Sequence, residues 1–182
     1  QKFIDNKKYS EAMDVLSKVP LAKASPQEKG AMAYLKAESL LGNKEYEEAV
    51  AQYDVTISTP EAEPYSDAAR MGRVNSLKAL GRLDEARADL EKLIESNSQD
   101  QALNIQARYY LGEVEEAREN IDAAIKYYLL ISVLYNDQDY VPKALFKAGE
   151  LLEAQKKPSE ALKAYQELLE RFKDNDLTKK AH

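Results

Sequence analysis

The 182 residues contain no cysteine, which removes disulfides, thiol catalysis and thiolate metal sites together. A single histidine is present, His182, and it is the last residue, where a frayed tail or remnant is expected rather than a ligand. Without an internal His or Cys, most nucleophilic and zinc chemistry has no raw material. Glycine and proline number six each and phenylalanine three, against twelve tyrosines, in a chain rich in Ala, Leu, Glu and Lys. That alphabet favours helices and is poor in turn residues and β-branched runs. Positive charge is in deficit, with 26 Lys and Arg against 32 Asp and Glu and a net charge of −6. A phosphate-binding face needs concentrated basic charge, so nucleic acid is not an expected partner. Long apolar runs are also missing. The longest, YYLLISVLY at 127–135, falls far short of the roughly 20 residues that span a bilayer. It reads instead as a helix packed on several sides inside the protein. No signal peptide is visible, and an opening QKFID without an initiator Met leads us to expect a fragment or mature form.

What is present is a repeat. KYSEAMDVL surrounds Ala12, EYEEAVAQY surrounds Ala49, RLDEARADL surrounds Ala86, NIDAAIKYY surrounds Ala124 and KPSEALKAY surrounds Ala161. The spacings are 37, 37, 38 and 37 residues. Three residues before the Ala stand Tyr9, Tyr46, Leu83 and Ile121, with Pro158 in the fifth copy. Four residues after it come Leu16, Tyr53, Leu90, Tyr128 and Tyr165. At plus seven come Val19, Leu93, Ile131 and Leu168, with Thr56 as the exception. These offsets share one face of an α-helix, where a small Ala admits a close neighbour and large flanking residues fill the space beside it.

Ahead of each such helix, except the first, lies a second amphipathic segment, at 31–42, 68–81, 105–117 and 143–154. Twelve residues before the Ala stand Ala37, Val74, Gly112 and Gly149. Gly42-Asn43 and Gly81-Arg82 mark turns inside the units, and TPEAEP, ESNSQD, NDQDYVP and KDND mark the loops between them. Ser25, Pro26 and Glu28 offer an N-cap, a first-turn proline and a capping glutamate. The unit is helix A, turn, helix B, loop. We therefore expect an all-α array: a partial repeat at 1–22, complete repeats at 26–60, 65–98, 101–138 and 141–175, and a further helix start or tail at 176–182. The first copy lacks its helix A, so apolar surface near Val15, Leu16 and Val19 predicts self-association through the truncated N-terminal end.

Small residues at the eighth and twentieth unit positions, with a large one at the twenty-fourth, resemble the tetratricopeptide repeat. The residues are Gly149, Ala161 and Tyr165, then Gly112, Ala124 and Tyr128, then Ala37, Ala49 and Tyr53; Val74, Ala86 and Leu90 fit less well. The aromatic often found at the fourth position and the proline near the thirty-second are absent. The resemblance implies an α-solenoid, a right-handed superhelix of antiparallel helix pairs, here with a period of about 37 residues instead of the usual 34. The lengthened units, with ends such as LLERFKDND, are also similar to repeat proteins of the bacterial cell envelope, of the Tol–Pal accessory and barrel-assembly lipoprotein kinds. That likeness favours the periplasm or envelope over the cytoplasm.

No Gly-rich phosphate loop, H-E-x-x-H or nucleophile elbow occurs, and no cofactor is expected. Asp137-Gln138-Asp139 faintly suggests a calcium loop, but Pro142 stands where the sharp turn needs Gly, so it reads as an inter-repeat loop. Glu47-Glu48 and Glu115-Glu116 are neighbours pointing in different directions, read as solvated faces. Catalysis is not expected. In the resembled family the A helices line a concave binding side, and the second, fifth, ninth and twelfth positions of helix A share that face. This places Tyr34 and Glu38, then Met71, Asn75 and Lys78, then Tyr109, Glu113 and Glu116, then Phe146, Glu150 and Glu153 on it, with Tyr110 and Lys147 at the adjacent edge. An aromatic stripe beside an acidic one suits a protein or peptide partner with apolar anchors and Lys or Arg. The alternative, equally open at this point, is that the aromatics simply pack between helices. The clamp that chaperone-binding repeats close on an acidic C-terminus needs Lys and Asn pairs; only Asn75 fits, and Met71 stands where a Lys is required. Residues 66–82 sum to +3 and residues 101–142 to −4, a contrast able to orient a partner. The rival expectations are a structural or self-assembling scaffold, and a regulatory segment of a larger protein.

Overall fold

The computed structural model describes residues 24–97 and 99–180, together with Glu11, Asp14, Val15 and Lys18. Most of the partial repeat at 1–22, including Leu16 and Val19, lies outside the described residues, as does His182. Among the described residues there are eight α-helices and no strand. They are α1 (Pro26–Gly42), α2 (Tyr46–Ile57), α3 (Glu63–Ala79), α4 (Leu83–Ser96), α5 (Gln101–Ala117), α6 (Ile121–Leu134), α7 (Tyr140–Ala154) and α8 (Pro158–Arg171). Short 3-10 turns follow α2 at Pro60–Ala62 and α8 at Thr178–Lys180.

The chain forms two compact units that divide between Leu90 and Glu91, inside α4. In the first, α1 packs on α2 and α2 on α3, and α1 also touches α3. In the second, α5 packs on α6, α6 on α7 and α7 on α8, and α5 touches α7. The repeated alanines lie at these contacts: Ala37, Ala49, Ala86 and Ala124 are 0% exposed and Ala161 2%. Where a unit carries Gly instead, the approach is closer still. A Cβ on Gly112 would sit 2.4 Å from Tyr128 Cε1, and one on Gly149 2.3 Å from Tyr165 Cε1.

Helix starts and stops follow from local chemistry. Ser25 Oγ accepts from the Glu28 N–H at 3.2 Å while Glu28 Oε2 accepts from the Ser25 N–H at 2.8 Å, closing a reciprocal cap ahead of Pro26. Asp100 caps α5 by accepting from the Leu103 N–H at 3.0 Å. The turns between paired helices share one device that the glycines did not reveal. Lys44, Gly81, Glu119 and Lys156, each five residues before a key Ala, have φ of 65°, 73°, 61° and 59°. At each site the next N–H reaches back to the carbonyl five residues earlier: Glu45 to Leu40, Arg82 to Leu77, Asn120 to Glu115 and Lys157 to Leu152, all at 2.9 Å. This hydrogen-bonded helix end reverses the chain in three residues and sets helix B antiparallel to helix A. Only Gly81 is a glycine there; Gly42, expected in a turn, is the last residue of α1.

The apolar run at 127–135 is not packed on all sides as its composition suggested. Tyr128 and Ile131 are wholly buried, but Val133 is 78% exposed and Leu134 50%. The inner side of α6 packs against α5 and α7, and Arg171 of α8 reaches the Ser132 and Tyr135 carbonyls at its end, which leaves Val133 and Leu134 on the uncovered side.

Candidate functional site

In the first unit, Tyr34 and Glu38 stand one turn apart on α1. The Tyr53 hydroxyl, arriving from α2, donates to Glu38 Oε1 at 2.6 Å. The Tyr34 ring is half-buried, with its centroid 6.4 Å from Tyr53 and 5.4 Å from Tyr65 in the first turn of α3. Burial, and then the Glu38 carboxylate, push the Tyr34 hydroxyl up to about 12. The same two causes raise Tyr53. The Tyr53 phenol is therefore a neutral donor to Glu38 at neutral pH. Met71 on α3 is buried, and Asn75 and Lys78 are half-buried.

The second unit repeats the arrangement twice. On α5, Tyr109 packs 5.4 Å from Tyr128, 5.4 Å from Tyr140 and 6.3 Å from Tyr110. The Tyr128 hydroxyl donates to Glu116 Oε1 at 2.5 Å, and Lys147 Nζ approaches Glu116 Oε2 from α7 at 3.2 Å. On α7, Phe146 lies 6.0 Å from the Tyr165 ring, whose hydroxyl donates to Glu153 Oε2 at 3.2 Å. Burial and the neighbouring carboxylates, Glu113 and Glu116 for one and Glu153 and Glu150 for the other, push Tyr109 and Tyr165 up to about 12. Glu113 and Lys147 are half-buried and Glu150 is exposed.

The expected residues thus divide into groups by helix. Tyr34 with Glu38 forms one; Tyr109, Tyr110, Glu113, Glu116 and Lys147 form another; Phe146, Glu150 and Glu153 form a third. Tyr34, Tyr109 and Phe146 each pack against a helix-B tyrosine, and each keeps partial exposure. Two residues of the sites carried no signal of their own: Tyr65 and Tyr140, at the starts of α3 and α7, which stack on Tyr34 and Tyr109. The helix-B tyrosines were readable as packing devices only, yet their hydroxyls hold the helix-A glutamates. A signal for this did exist in the sequence. The one complete unit with Leu90 in place of Tyr has Asn75 and Lys78 where the others carry Glu at the ninth or twelfth position.

That unit is held by charge instead. Arg73 of α3 lies 2.7 Å from Asp54 Oδ1 of α2, and its Nη1 donates to Asp89 Oδ2 of α4 at 2.5 Å. Arg70 stands 3.7 Å from the same Asp89, whose side chain is 4% exposed, and Arg82 pairs with Glu85 at 2.6 Å and Glu47 at 3.1 Å. The basic run at 66–82 is therefore not an open field for a partner; its three arginines are neutralised by carboxylates of α2 and α4. Glu115 also departs from expectation. It is not solvated but 1% exposed, and its carboxylate accepts from Arg118 at 3.3 Å and Asn120 at 2.9 Å at the helix end. The Asp137-Gln138-Asp139 loop is a helix start, since Asp137 Oδ1 accepts from the N–H groups of Asp139 and Tyr140 at 2.9 and 2.6 Å. Among the described residues no cluster of three or more His, Cys, Asp or Glu is placed to hold a metal, and no helix is long and apolar enough to cross a membrane.

Family models of the tetratricopeptide repeat match residues 71–139 and 143–175, together more than half of the chain. No curated protein is significantly similar in sequence. Among solved structures, the repeats of a putative kinesin light chain from Podosopora anserina superpose with a TM-score of 0.75 at 13% identity, over 92% of this chain and 88% of that one. The apo form of RapI superposes with a TM-score of 0.79 at 14% identity, over 95% of this chain and 51% of RapI. A Rap conjugation gene regulator of the plasmid pLS20, solved with the Phr* peptide, gives 0.64 at 16%, over 99% of this chain and 52% of that one. The chain spans about half the length of these two Rap proteins, and at such identities the likeness is one of fold.

Proposed function

The chain belongs to the tetratricopeptide repeat family, and from that premise we propose that it is a non-catalytic module that binds a partner protein or peptide on its helix-A faces. One observation carries this reading. On α1, α5 and α7 a partly exposed aromatic (Tyr34, Tyr109, Phe146) lies beside a glutamate that a tyrosine hydroxyl from helix B holds in place. Carboxylates fixed before binding lose little side-chain freedom when a partner arrives, so their charge and direction contribute to affinity at low entropic cost. The aromatics offer flat apolar area next to them. The partner that fits is a segment with apolar anchors and Lys or Arg, engaging Tyr34, Tyr109 and Phe146 with Glu38, which Tyr53 holds, and with Glu113 and Glu150, which stand one turn before the held Glu116 and Glu153. Lys147 offsets Glu116, and Glu150 and Glu153 of α7 are exposed. The solved complex of a Rap regulator with the Phr* peptide is consistent with a peptide ligand for this fold.

The absence of catalysis is supported by the chemistry of the site. The chain has no Cys and a single His, the last residue, which leaves most nucleophilic chemistry without raw material. The test is retrieval of the partner with the native protein, followed by titration of that partner with a Glu38→Lys, Glu113→Lys, Glu150→Lys triple variant. An affinity loss of tenfold or more is expected, since like charge replaces attraction at three points. Undiminished affinity would discard the acidic-face reading.

A further inference from the structure

The rings that pack around Tyr34 and Tyr109 recur at a longer interval than the repeat itself. Tyr34 and Tyr109, Tyr53 and Tyr128, Tyr65 and Tyr140, and Glu38 and Glu113 are each 75 residues apart, the length of two repeats. The repeat in between changes all four positions together, to Met71, Leu90, Leu103 and Asn75. Three rings are lost there, and the carboxylate gives way to a neutral amide. The last repeat keeps Phe146, Tyr165 and Glu150 but has Leu177 in the fourth place. Packing between helices does not require this concerted change. Tyr53 donates to Glu38, but Tyr128 donates to Glu116, so the hydroxyl bond alone does not call for a glutamate at the position of Glu113.

Each set of four lies within one of the two compact units. In the first, Tyr53 is buried, and half-buried Tyr34 and Tyr65 stand with ring centroids 5.4 Å apart at 31°. In the second, Tyr128 is buried, and half-buried Tyr109 and Tyr140 stand 5.4 Å apart at 61°. The rings come from α1, α2 and the start of α3 in one case, and from α5, α6 and the start of α7 in the other. Glu38 and Glu113 stand one turn beyond the helix-A ring. Aromatic faces attract cations, and Lys or Arg can lay an apolar stem along rings while its charged head meets a carboxylate. A cation already lies over one of these rings, for Lys143 Nζ is 5.1 Å from the Tyr140 centroid.

We propose that the chain is divalent: each compact unit holds an equivalent site, three tyrosines and a glutamate, for one Lys or Arg side chain of a basic partner segment. The proposal rests on the helix-A reading above and adds the number of sites and the group each one takes. One chain binds two copies of the same basic motif. Each site is complete within its own unit, so the two fill independently. The Phe146–Tyr165 pair, with Leu177 in the third ring's place, makes no third site of this kind.

The test follows the two sites separately by fluorine NMR of the chain labelled with 3-fluorotyrosine, with Tyr34→Phe and Tyr109→Phe assigning the two resonances. The probe is the peptide acetyl-Gly-Arg-Leu-Gly-amide, and the control is the same peptide with Glu in place of Arg. Both resonances are expected to shift with the Arg peptide, with dissociation constants within about threefold of each other, and to stay still with the Glu peptide. Glu38→Gln keeps an acceptor for Tyr53 and removes the charge. It is expected to weaken binding at Tyr34 at least about tenfold and to leave binding at Tyr109 unchanged, while Glu113→Gln does the reverse. A response at one triad only, or a loss at both triads from either single substitution, would overturn the divalent arrangement and leave the helix-A reading standing. No response at either triad, or an equal response to the Glu peptide, would overturn both.

Discussion

The Tyr128 hydroxyl donates to Glu116 Oε1 across 2.5 Å, tying α6 to α5 through the same ring that rests against Gly112. The ring is wholly buried, so the bond is made away from water to an ionised acceptor shared with Lys147. A hydrogen bond to a charged group contributes about 1.5–3 kcal/mol. Tyr128→Phe keeps the ring and removes the bond, and it is expected to lower unfolding free energy by about 1–2 kcal/mol. Tyr165→Phe is expected to cost less, because its bond is longer, at 3.2 Å, and lies at an exposed site. Urea unfolding of the two variants beside the native chain measures both, and equal losses would show that burial does not set the strength of these bonds.

Alkaline pH tests the same tyrosines together. Tyr34, Tyr109 and Tyr165 are pushed up to about 12, and Tyr53 and Tyr128 are raised as well, by burial first and by their carboxylates. An unfolded tyrosine releases its proton near 10. A folded value above the unfolded one means that the stabilisation is fully present below about pH 10 and is lost as pH rises through the folded values. Stability is therefore expected to change little with these groups from pH 7 to 9 and to fall between about 10 and 12. The urea midpoint followed over that range reads the fall directly. A Tyr53→Phe, Tyr128→Phe double variant is expected to show a shallower slope, and a midpoint constant to pH 11.5 in the native chain would refute the account.

The eight helices and their pairing were legible because packing distance dictates residue size. Ala49, Ala86, Ala124 and Ala161 recur because only a small side chain fits where helices cross, and that constraint is local enough to read as a period. The turns were legible only in place. Lys44, Glu119 and Lys156 adopt a left-handed backbone without being Gly, because the pattern of carbonyls at a helix end fixes that conformation whatever the side chain. Which glutamates face outward was less legible still. Glu38, Glu116 and Glu153 share a helix face with Glu113 and Glu150, but each accepts a hydroxyl from another helix, and such a pairing leaves no mark in helical spacing. Its trace lies across units, where Leu90 goes with Asn75 and Lys78.

Gly112 and Gly149 occupy the same unit position and are expected to respond oppositely to alanine. Both would gain up to about 1 kcal/mol from the better helix former. At Gly112 the new Cβ would lie 2.4, 2.7 and 2.8 Å from three atoms of a ring that is 0% exposed, so the ring has nowhere to go. Overpacking of that kind costs about 1–3 kcal/mol, and Gly112→Ala is expected to be net destabilising. The Tyr165 ring meets the Gly149 Cβ as closely, but it is only part-buried and can tilt outward into solvent. Gly149→Ala is therefore expected to be near neutral or slightly stabilising. Thermal unfolding of both variants decides the matter, and equal losses would mean that ring exposure is irrelevant.

Arg73 and Asp89 carry, in the unit that lacks the tyrosine, the role that Tyr128 and Glu116 carry elsewhere. One guanidinium reaches Asp54 of α2 and Asp89 of α4, so a single side chain joins three helices of the first unit. Asp89 is 3% exposed, and removing its partner leaves a carboxylate with little access to water. Arg73→Ala is expected to cost about 2–3 kcal/mol, with Arg70 at 3.7 Å keeping the loss below the upper range for a broken buried pair. Arg73→Lys is expected to recover only part of this, because an ammonium cannot present the planar fork that meets two carboxylates at once. The informative variant is Arg73→Met with Asp89→Leu, which removes both charges and keeps the volume. It is expected to approach native stability in urea unfolding, since the desolvation cost disappears along with the attraction. A double variant as unstable as Arg73→Ala would mean that the contact to Asp54, not the one to Asp89, holds the three helices together.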